Sequence, residues 1–250
     1  MPEQGEYSSD DELDNSQDEM EQLINKAHGE SSGITKAPNT ASKPSVNLHS
    51  PSNPIKGKVQ GNYSLTNDES DINIHHIVIH LEDNYFPLLE GQTVGIIADG
   101  KNEKGNAHTP RLYSVSSPRD GERASTNNFS LTVKREELGL CSNYVCDLKK
   151  GDTINLIGPF GSTFLIPNDP SAKLMMICTG TGSAPFRAFV MHRSRVYPNL
   201  EDSMSLFFGA RTSKSLPYFG PLKKTSSKVL KKYFAFSREP DSPKEYVQDK

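Results

Sequence analysis

The stretch Ile177-Cys178-Thr179-Gly180-Thr181-Gly182-Ser183-Ala184-Pro185-Phe186-Arg187 decides how the chain is read. The apolar run Leu174-Met175-Met176-Ile177 leads into it and reads as a buried strand. Phe186 to Tyr197, beyond it, reads as a helix. Between them lies a turn of small residues with two glycines and two threonines, which lets a phosphate approach the backbone. The start of the following helix adds free N–H groups and a favourable dipole. Pro185 suits the first helical turn, where its missing N–H costs nothing. Alone, this strand, turn and helix fit a nucleotide site and an ordinary α/β turn equally well.

Downstream, Met204–Phe208 and Tyr233–Phe236 read as strands, with a helix somewhere in Pro221–Lys232. Strands alternating with helices, from Lys173–Cys178 onward, imply βαβ units on a parallel sheet. About three strands and two helices fit before Lys250, against the five or six strands usual for a doubly wound sheet. An incomplete α/β domain is therefore expected. Upstream, the short segments Lys58–Tyr63, Ile72–Leu81, Thr93–Ala98, Arg111–Ser117, Phe129–Glu136 and Thr153–Ile157 read as strands. Turns at Pro87–Gln92 and Lys149–Asp152 and polar loops at Asp99–Pro110 and Pro118–Asn128 separate them, and Ser142–Leu148 reads as a short helix. That spacing predicts a small antiparallel barrel or sandwich. The expected fold class is β + α/β, with a β-domain at 55–168, an α/β domain at 169–250 and the boundary near Pro167–Pro170. Residues 1–54 are expected to be a disordered acidic and polar linker, because such a composition buries too little surface to offset its ordering entropy. The first 22 residues hold nine acidic side chains and no basic one. Glu19 to Ala27 is a candidate short helix within it.

A net charge of −3 over 250 residues argues against a nucleic-acid binder driven by bulk charge. No segment reaches the apolar length of a membrane span, and the N-terminus is acidic rather than signal-like, so a cytoplasmic location is expected. Cys141, Cys146 and Cys178 are too few for a disulfide framework or a four-cysteine iron–sulfur cluster, and read as buried packing residues. His75, His76 and His80 do not form a metal site by pattern. His76 and His80 share a strand face, His75 does not, and no carboxylate lies among them.

Arg111-Leu112-Tyr113-Ser114-Val115-Ser116-Ser117 is the second informative stretch. On a strand, Arg111, Tyr113 and Val115 share one face, and Leu112, Ser114 and Ser116 the other. An arginine grips a phosphate in two places, and a tyrosine two residues on can lie against a flat aromatic ligand. A surface arginine beside a barrel tyrosine is the plainer reading of the same residues. Gly139-Leu140-Cys141-Ser142 offers a phosphate another helix start, at Ser142.

The order of motifs then carries a resemblance. RLYSVSS (111–117), SLTVK (130–134), GLCSNYVCDLKKGD (139–152), GPFG (158–161), ICTGTGSAPFRAF (177–189), FFGART (207–212), FSRE (236–239) and YVQDK (246–250) resemble the ferredoxin–NADP⁺ reductase family in register, from about Asn53 to Lys250. The resemblance implies an antiparallel FAD-binding β-barrel followed by a truncated NADP-binding parallel α/β domain, with FAD and NADPH as cofactors. It implies that Arg111 meets the FAD pyrophosphate, Tyr113 stacks on the isoalloxazine, Leu112 lies beside it and Ser114 sits at flavin N5. Thr132, Val133 and Lys134 would line the cofactor, and Leu140, Cys141 and Ser142 would hold its phosphates. Thr181 would face both flavin and nicotinamide, which makes it, with Ser114, a candidate catalytic residue. Lys134, Ala210, Arg211, Ser237, Arg238, Lys244 and Tyr246 would serve NADP, Ser237 and Arg238 at its 2′-phosphate and Tyr246 over the adenine. A dianionic phosphate needs positive charge and hydroxyl donors, whereas an NAD site presents an acid to the ribose, and Glu239 beside Arg238 runs against that pattern.

The implied activity is NADPH-to-FAD hydride transfer, with electrons passed on to an iron–sulfur domain or protein. Within the family the wording resembles most the reductase component of the benzoyl-CoA 2,3-epoxidase (benzoyl-CoA oxygenase) system of aerobic benzoate degradation, on the phrases NYVCDLKKGD (143–152), ICTGTGSAP (177–185), FFGART, LPYFGPL (216–222) and YVQD, and that component is the expected identity. That branch implies a di-iron oxygenase as final acceptor. A general ferredoxin–NADP⁺ reductase is the first alternative, and a nucleotide-binding docking module without turnover the second. Family members continue with a strand bearing a cysteine-glycine pair, an acidic residue near the nicotinamide and an aromatic C-terminal region, none of which these 250 residues contain.

Overall fold

A computed structural model describes residues 36–66 and 70–250. Alternation builds the first strand, β1 (Ile55–Ser64): Ile55, Gly57, Val59 and Gly61 are buried while Lys56, Lys58 and Gln60 face out. With β2 (Ile74–His80), β3 (Thr93–Ile97), β4 (Arg111–Ser114), β5 (Asn128–Lys134) and β6 (Thr153–Phe160) it forms an antiparallel sheet in the order β4-β3-β6-β1-β2-β5. The two outer strands meet where Val115 bridges Leu131 and Ser116 N–H donates to Ser130 O at 2.8 Å, so the sheet curls into a barrel. Its core holds Ile77, Ile79, Val94, Ile96, Phe129, Leu131, Ile154 and Leu156. Helix α1 (Leu140–Asp147) adds Cys141, Val145 and Cys146 from one face to that core. Asn62 fastens the helix end by donating to Cys146 O and Leu148 O at 3.0 and 2.8 Å, and His75 Nδ1 lies 2.7 Å from Asn62 Oδ1. His75 is thus a positioning partner, and no metal-binding group of three ligands occurs among the described residues.

The second sheet is parallel, β7 (Leu174–Thr179), β8 (Met204–Ala210) and β9 (Lys231–Phe236) in that order. The α2 helix (Ser183–Val196) and the short α3 (Phe219–Lys224) pack on one face, against Met176, Cys178, Leu206 and Phe208. The expectation that Leu174–Ile177 is a wholly buried strand needs correcting. Met175 and Ile177 are 71% and 56% exposed, because among the described residues the helices cover only the other face. On the open face Phe207 stacks on Tyr233 at 4.6 Å.

Residues 1–35, including the candidate helix Glu19–Ala27, lie outside the described residues. The disordered reading does not hold for 36–54. His49 pairs with Gly158 through both backbone groups, Asn47 N–H donates to Pro159 O, and Gln92 Nε2 donates to Ser45 O at 2.9 Å. Backbone pairing along a barrel strand orders this segment despite its polar composition.

The two sheets are joined by a charged seam. Three basic residues on α2 each find an acid on the barrel. Arg187 pairs with Glu122, His192 Nδ1 lies 3.0 Å from Glu90 Oε1, and Arg195 Nη1 donates to Asp120 Oδ1 at 2.6 Å. Phe164 adds an apolar contact with Phe186 and Phe189. Glu90 has no exposed side-chain surface. Burial raises its pKa, but hydrogen bonds and charge from His192 and Arg119 outweigh this and hold it at about 2, below its ordinary 4.5. Because the folded value is the lower one, this stabilisation is complete above pH 4.5 and is lost as pH falls towards 2. It amounts to on the order of 3 kcal/mol. Urea midpoints should therefore fall between pH 4.5 and 2.5, and Glu90→Gln should flatten that slope. A variant with the wild-type slope would show that Glu90 does not carry it.

Candidate functional site

Two clefts open beside the seam. The first, about 620 Å³, lies between the barrel and the start of α1. Arg111, Leu112 and Tyr113 of β4, Thr132, Val133 and Lys134 of β5, Gly139 to Ser142 at the helix start, and Thr181 all line it. A four-residue strand explains why both faces contribute: Tyr113 packs on the main core while Leu112 packs on Ile97, Ile157 and Phe160. Arg111 is exposed, donates to its neighbour Pro110 O, and meets no carboxylate among the described residues. Its charge is free for an anion. Burial pushes up the phenol of Tyr113 and the thiol of Cys141, whose Sγ lies 3.8 Å from Ile96 O.

Two expectations shift here. The helix begins at Leu140 with Gly139 as its cap, not at Ser142. Ser142 Oγ accepts from Glu136 N–H at 3.2 Å and donates to Gly139 O at 3.1 Å, so its hydroxyl closes the preceding turn. The backbone N–H groups of Leu140, Cys141 and Ser142 still have no partner one turn back, and no acid sits in the first turn. Ser114 pairs with Thr93 across the sheet and is not among the residues lining the cleft.

The second cleft, about 310 Å³, is lined by Thr179, Gly180, Thr181, Gly209, Ala210, Arg211, Ser237 and Tyr246, and again by Lys134. Thr181 and Lys134 therefore belong to both clefts, at the point where they meet. A Cβ at Gly180, where φ is +51°, would meet no atom within 4 Å, and Gly182 touches only Cys178 Cβ at 3.6 Å. Small residues at this turn keep the junction open. Arg238 and Lys244 do not line the second cleft. Arg238 N–H donates to Arg211 O at 2.8 Å, and Lys244 Nζ lies 4.9 Å from the centre of the Tyr246 ring. Arg211 pairs with Asp71, and Lys134 Nζ donates to Glu136 Oε1 at 2.8 Å, so a phosphate would have to displace a carboxylate from each. Glu239 accepts from Ser213 N–H and Oγ at 2.6 and 2.8 Å. Both donors are neutral, so the carboxylate keeps its charge and is held against the Ser213 turn.

Sequence reasoning missed a group bonded to Thr132, itself a lining residue of the first cleft. Tyr218 OH lies 2.6 Å from Thr132 Oγ1 and 2.9 Å from His76 Nδ1. His76 Nε2 faces Glu122 Oε1 at 3.5 Å, and Arg187 binds Glu122 and Ser116 O. The sequence places Thr132 at the cofactor and weighs His76 only as a metal ligand, and the LPYFGPL resemblance assigns Tyr218 no role.

Residues 58–164 match the family model of an oxidoreductase FAD-binding domain, and residues 176–250 that of an oxidoreductase NAD-binding domain. The chain is 37% identical over 223 residues to the cyanelle ferredoxin–NADP reductase of Cyanophora paradoxa, covering 82% of this chain and 61% of that one. A ferredoxin–NADP reductase of Spirulina is 32% identical over 227 residues, covering 82% of this chain and 76% of its own. The chain belongs to the ferredoxin–NADP reductase family. The ferredoxin–NADP⁺ reductase of Plasmodium falciparum with 2′P-AMP superposes with a TM-score of 0.68 at 28% identity, covering 81% of this chain and 80% of the other. The β + α/β architecture is thus the family's own. The chain spans about half to three-fifths of the length of several curated relatives it matches, 51% for the Synechocystis enzyme. No helix among the described residues is long and apolar enough to cross a membrane.

The donors fit the groups this family is described as binding. An unpaired guanidinium, a helix start without acids and a half-buried tyrosine face the first cleft, which suits a pyrophosphate joined to a flat ring. The second cleft offers hydroxyls, Arg211 and the Tyr246 ring, which suits a phosphorylated adenosine.

Proposed function

We propose that the chain holds FAD in the first cleft and NADPH in the second, and passes electrons from NADPH to an iron–sulfur protein of the ferredoxin type. The carrying observation is that Thr181 and Lys134 line both clefts, so two ligands there would meet at one point. When bound, FAD accepts a hydride and releases electrons singly. Arg111 and the N–H groups from Leu140 to Ser142 hold the pyrophosphate. Tyr113 supports the flavin ring, and Leu112, Thr132 and Val133 shape the wall; Ser114 stands at the end of β4 beside Tyr113 and reaches N5 only by turning its hydroxyl in from outside the cleft lining. Lys134 serves both phosphates. Ala210, Arg211, Ser237, Arg238, Lys244 and Tyr246 hold the adenosine end, Arg238 and Lys244 by swinging in from outside the cleft. The domain limits are 55–168 and 169–250.

The general reductase reading has the relatives on its side. The benzoyl-CoA 2,3-epoxidase reading, with its di-iron oxygenase acceptor, has only the shared phrases in its support. A cytoplasmic location competes with a plastid one, since the tobacco relative is a chloroplastic enzyme.

The purified chain should be yellow, and NADPH added without oxygen should bleach it. Bound FAD that NADPH never reduces would favour the docking module. Ferredoxin-dependent cytochrome c reduction then tests the acceptor. For coenzyme choice, Arg238→Ala should raise the NADPH KM about tenfold or more, the loss of one charge-assisted contact, with NADH little changed. An equal loss for both coenzymes would contradict the 2′-phosphate assignment.

A further inference from the structure

Tyr218 stands out among the groups that the proposed function does not use. It caps the start of α3 with φ 61° and ψ 17°, a left-handed conformation that costs a bulky residue about 1–3 kcal/mol. Such strain persists only where the surroundings over-determine it. Here they do. The side chain is 8% exposed, its ring lies 4.9 Å under the Arg187 guanidinium, and its hydroxyl reaches across the seam to β5 and β2. One proton assignment satisfies every group. Thr132 Oγ1–H donates to Tyr218 OH, Tyr218 O–H donates to His76 Nδ1, and His76 Nε2–H points at Glu122. Glu122 in turn holds Arg187, which closes the circuit beneath the tyrosine ring.

The consequence falls on Thr132. It lines the first cleft, yet its hydroxyl is committed to a residue of the other domain. The cleft wall at that point is therefore fixed in polarity and position by the docking of the α/β domain, whose turn brings Thr181 to the same cleft. We propose that Tyr218 is a positioning residue: through Thr132 it sets the flavin-side wall in register with the nicotinamide side. This rests on the reductase reading above. A misplacement of the order of 1 Å between reacting groups lowers rates by up to about a hundredfold, so a single hydroxyl at this junction has leverage.

The test uses the FAD-loaded protein. Tyr218→Phe keeps the ring and its stacking on Arg187 and frees the Thr132 hydroxyl. Flavin reduction by NADPH in stopped flow should slow about tenfold with KM nearly unchanged, because the adenosine contacts lie elsewhere. The visible circular dichroism of the oxidised flavin, and its change on adding NADP⁺, should shift as well, whereas 2′-phospho-AMP affinity should not. Thr132→Val should give the same spectral and rate change, and the double variant no more than either single one, as expected for residues acting as a unit. Thr132→Val also serves if Tyr218→Phe does not fold. A lower melting temperature with unaltered rate and spectra, or additive effects, would overturn the proposal and leave the reductase reading standing. A wild-type chain that holds no flavin would overturn both.

Discussion

Gly91→Ala should leave little folded protein. Gly91 sits at φ +95°, where L side chains rarely go, and a Cβ there would lie 1.7 Å from Phe164 O and 2.9 Å from its carbonyl carbon. Both obstacles are backbone, so no rotamer change relieves them. The flanking residues cannot yield either. Glu90 binds Arg119 and His192, and Gln92 donates to Ser45 O and Gly161 O at 2.9 Å. One turn thus joins the 36–54 segment, the barrel and α2, and shifting it breaks all three. A loss of about 4 kcal/mol or more belongs to the exceptional class of substitutions and takes a large part of a typical 5–15 kcal/mol. Gly105→Ala is the control. Its φ of +81° is similar, but nothing lies within 4 Å, so only the conformational penalty of about 1 kcal/mol applies. Thermal melts followed by circular dichroism should separate the two by about 8 °C or more. Equal melting temperatures would show that the turn can move.

Arg111→Ala should weaken FAD binding by about ten- to a hundredfold while leaving the apoprotein's melting temperature within about 2 °C of wild type. The size follows from losing a charge-assisted contact of about 1.5–3 kcal/mol to a pyrophosphate. The neutral stability follows from exposure, since among the described residues no carboxylate depends on Arg111. Arg111→Lys should fall between, because an ammonium keeps the charge and loses the fork. Arg119→Ala provides the contrast. Arg119 binds Glu90 through three contacts of 2.7 to 3.3 Å, so its loss should cost stability and spare FAD affinity. Quenching of flavin fluorescence on titration gives the affinities. Unchanged affinity in Arg111→Ala would remove the pyrophosphate assignment.

Much of the candidate site was legible because its pieces are contiguous. Arg111 to Tyr113, Thr132 to Lys134 and Leu140 to Ser142 are three short runs, and the tertiary structure brings all three to one cleft. Elsewhere the contiguous signal misled. A serine at 142 looks like a helix cap, but its hydroxyl bonds back to the Gly139 turn, and the helix opens two residues earlier. A polar, proline-containing segment at 36–54 looks disordered, but barrel backbone groups were available to pair with it. Ser114, Arg238 and Lys244 stand at motif positions and lie outside the cleft linings, because a motif specifies a place along the chain and not the direction a side chain takes.

The sequence by itself determined what local pattern can encode: a period of two from Ile55 to Ser64, the change to strand–turn–helix at Ile177–Arg187, and the residue types able to grip phosphates. Only the tertiary structure decided how the halves face each other. His76 and Tyr218 are 142 positions apart, and Thr132 and Tyr218 are 86 apart. Their juxtaposition depends on strand order and helix docking, and side chains so far apart along the chain carry no periodic signal. The turn at Gly180–Gly182 shows both sides. Its glycines announce room for a ligand, and the fold sets Thr181 at the single point where the two clefts meet.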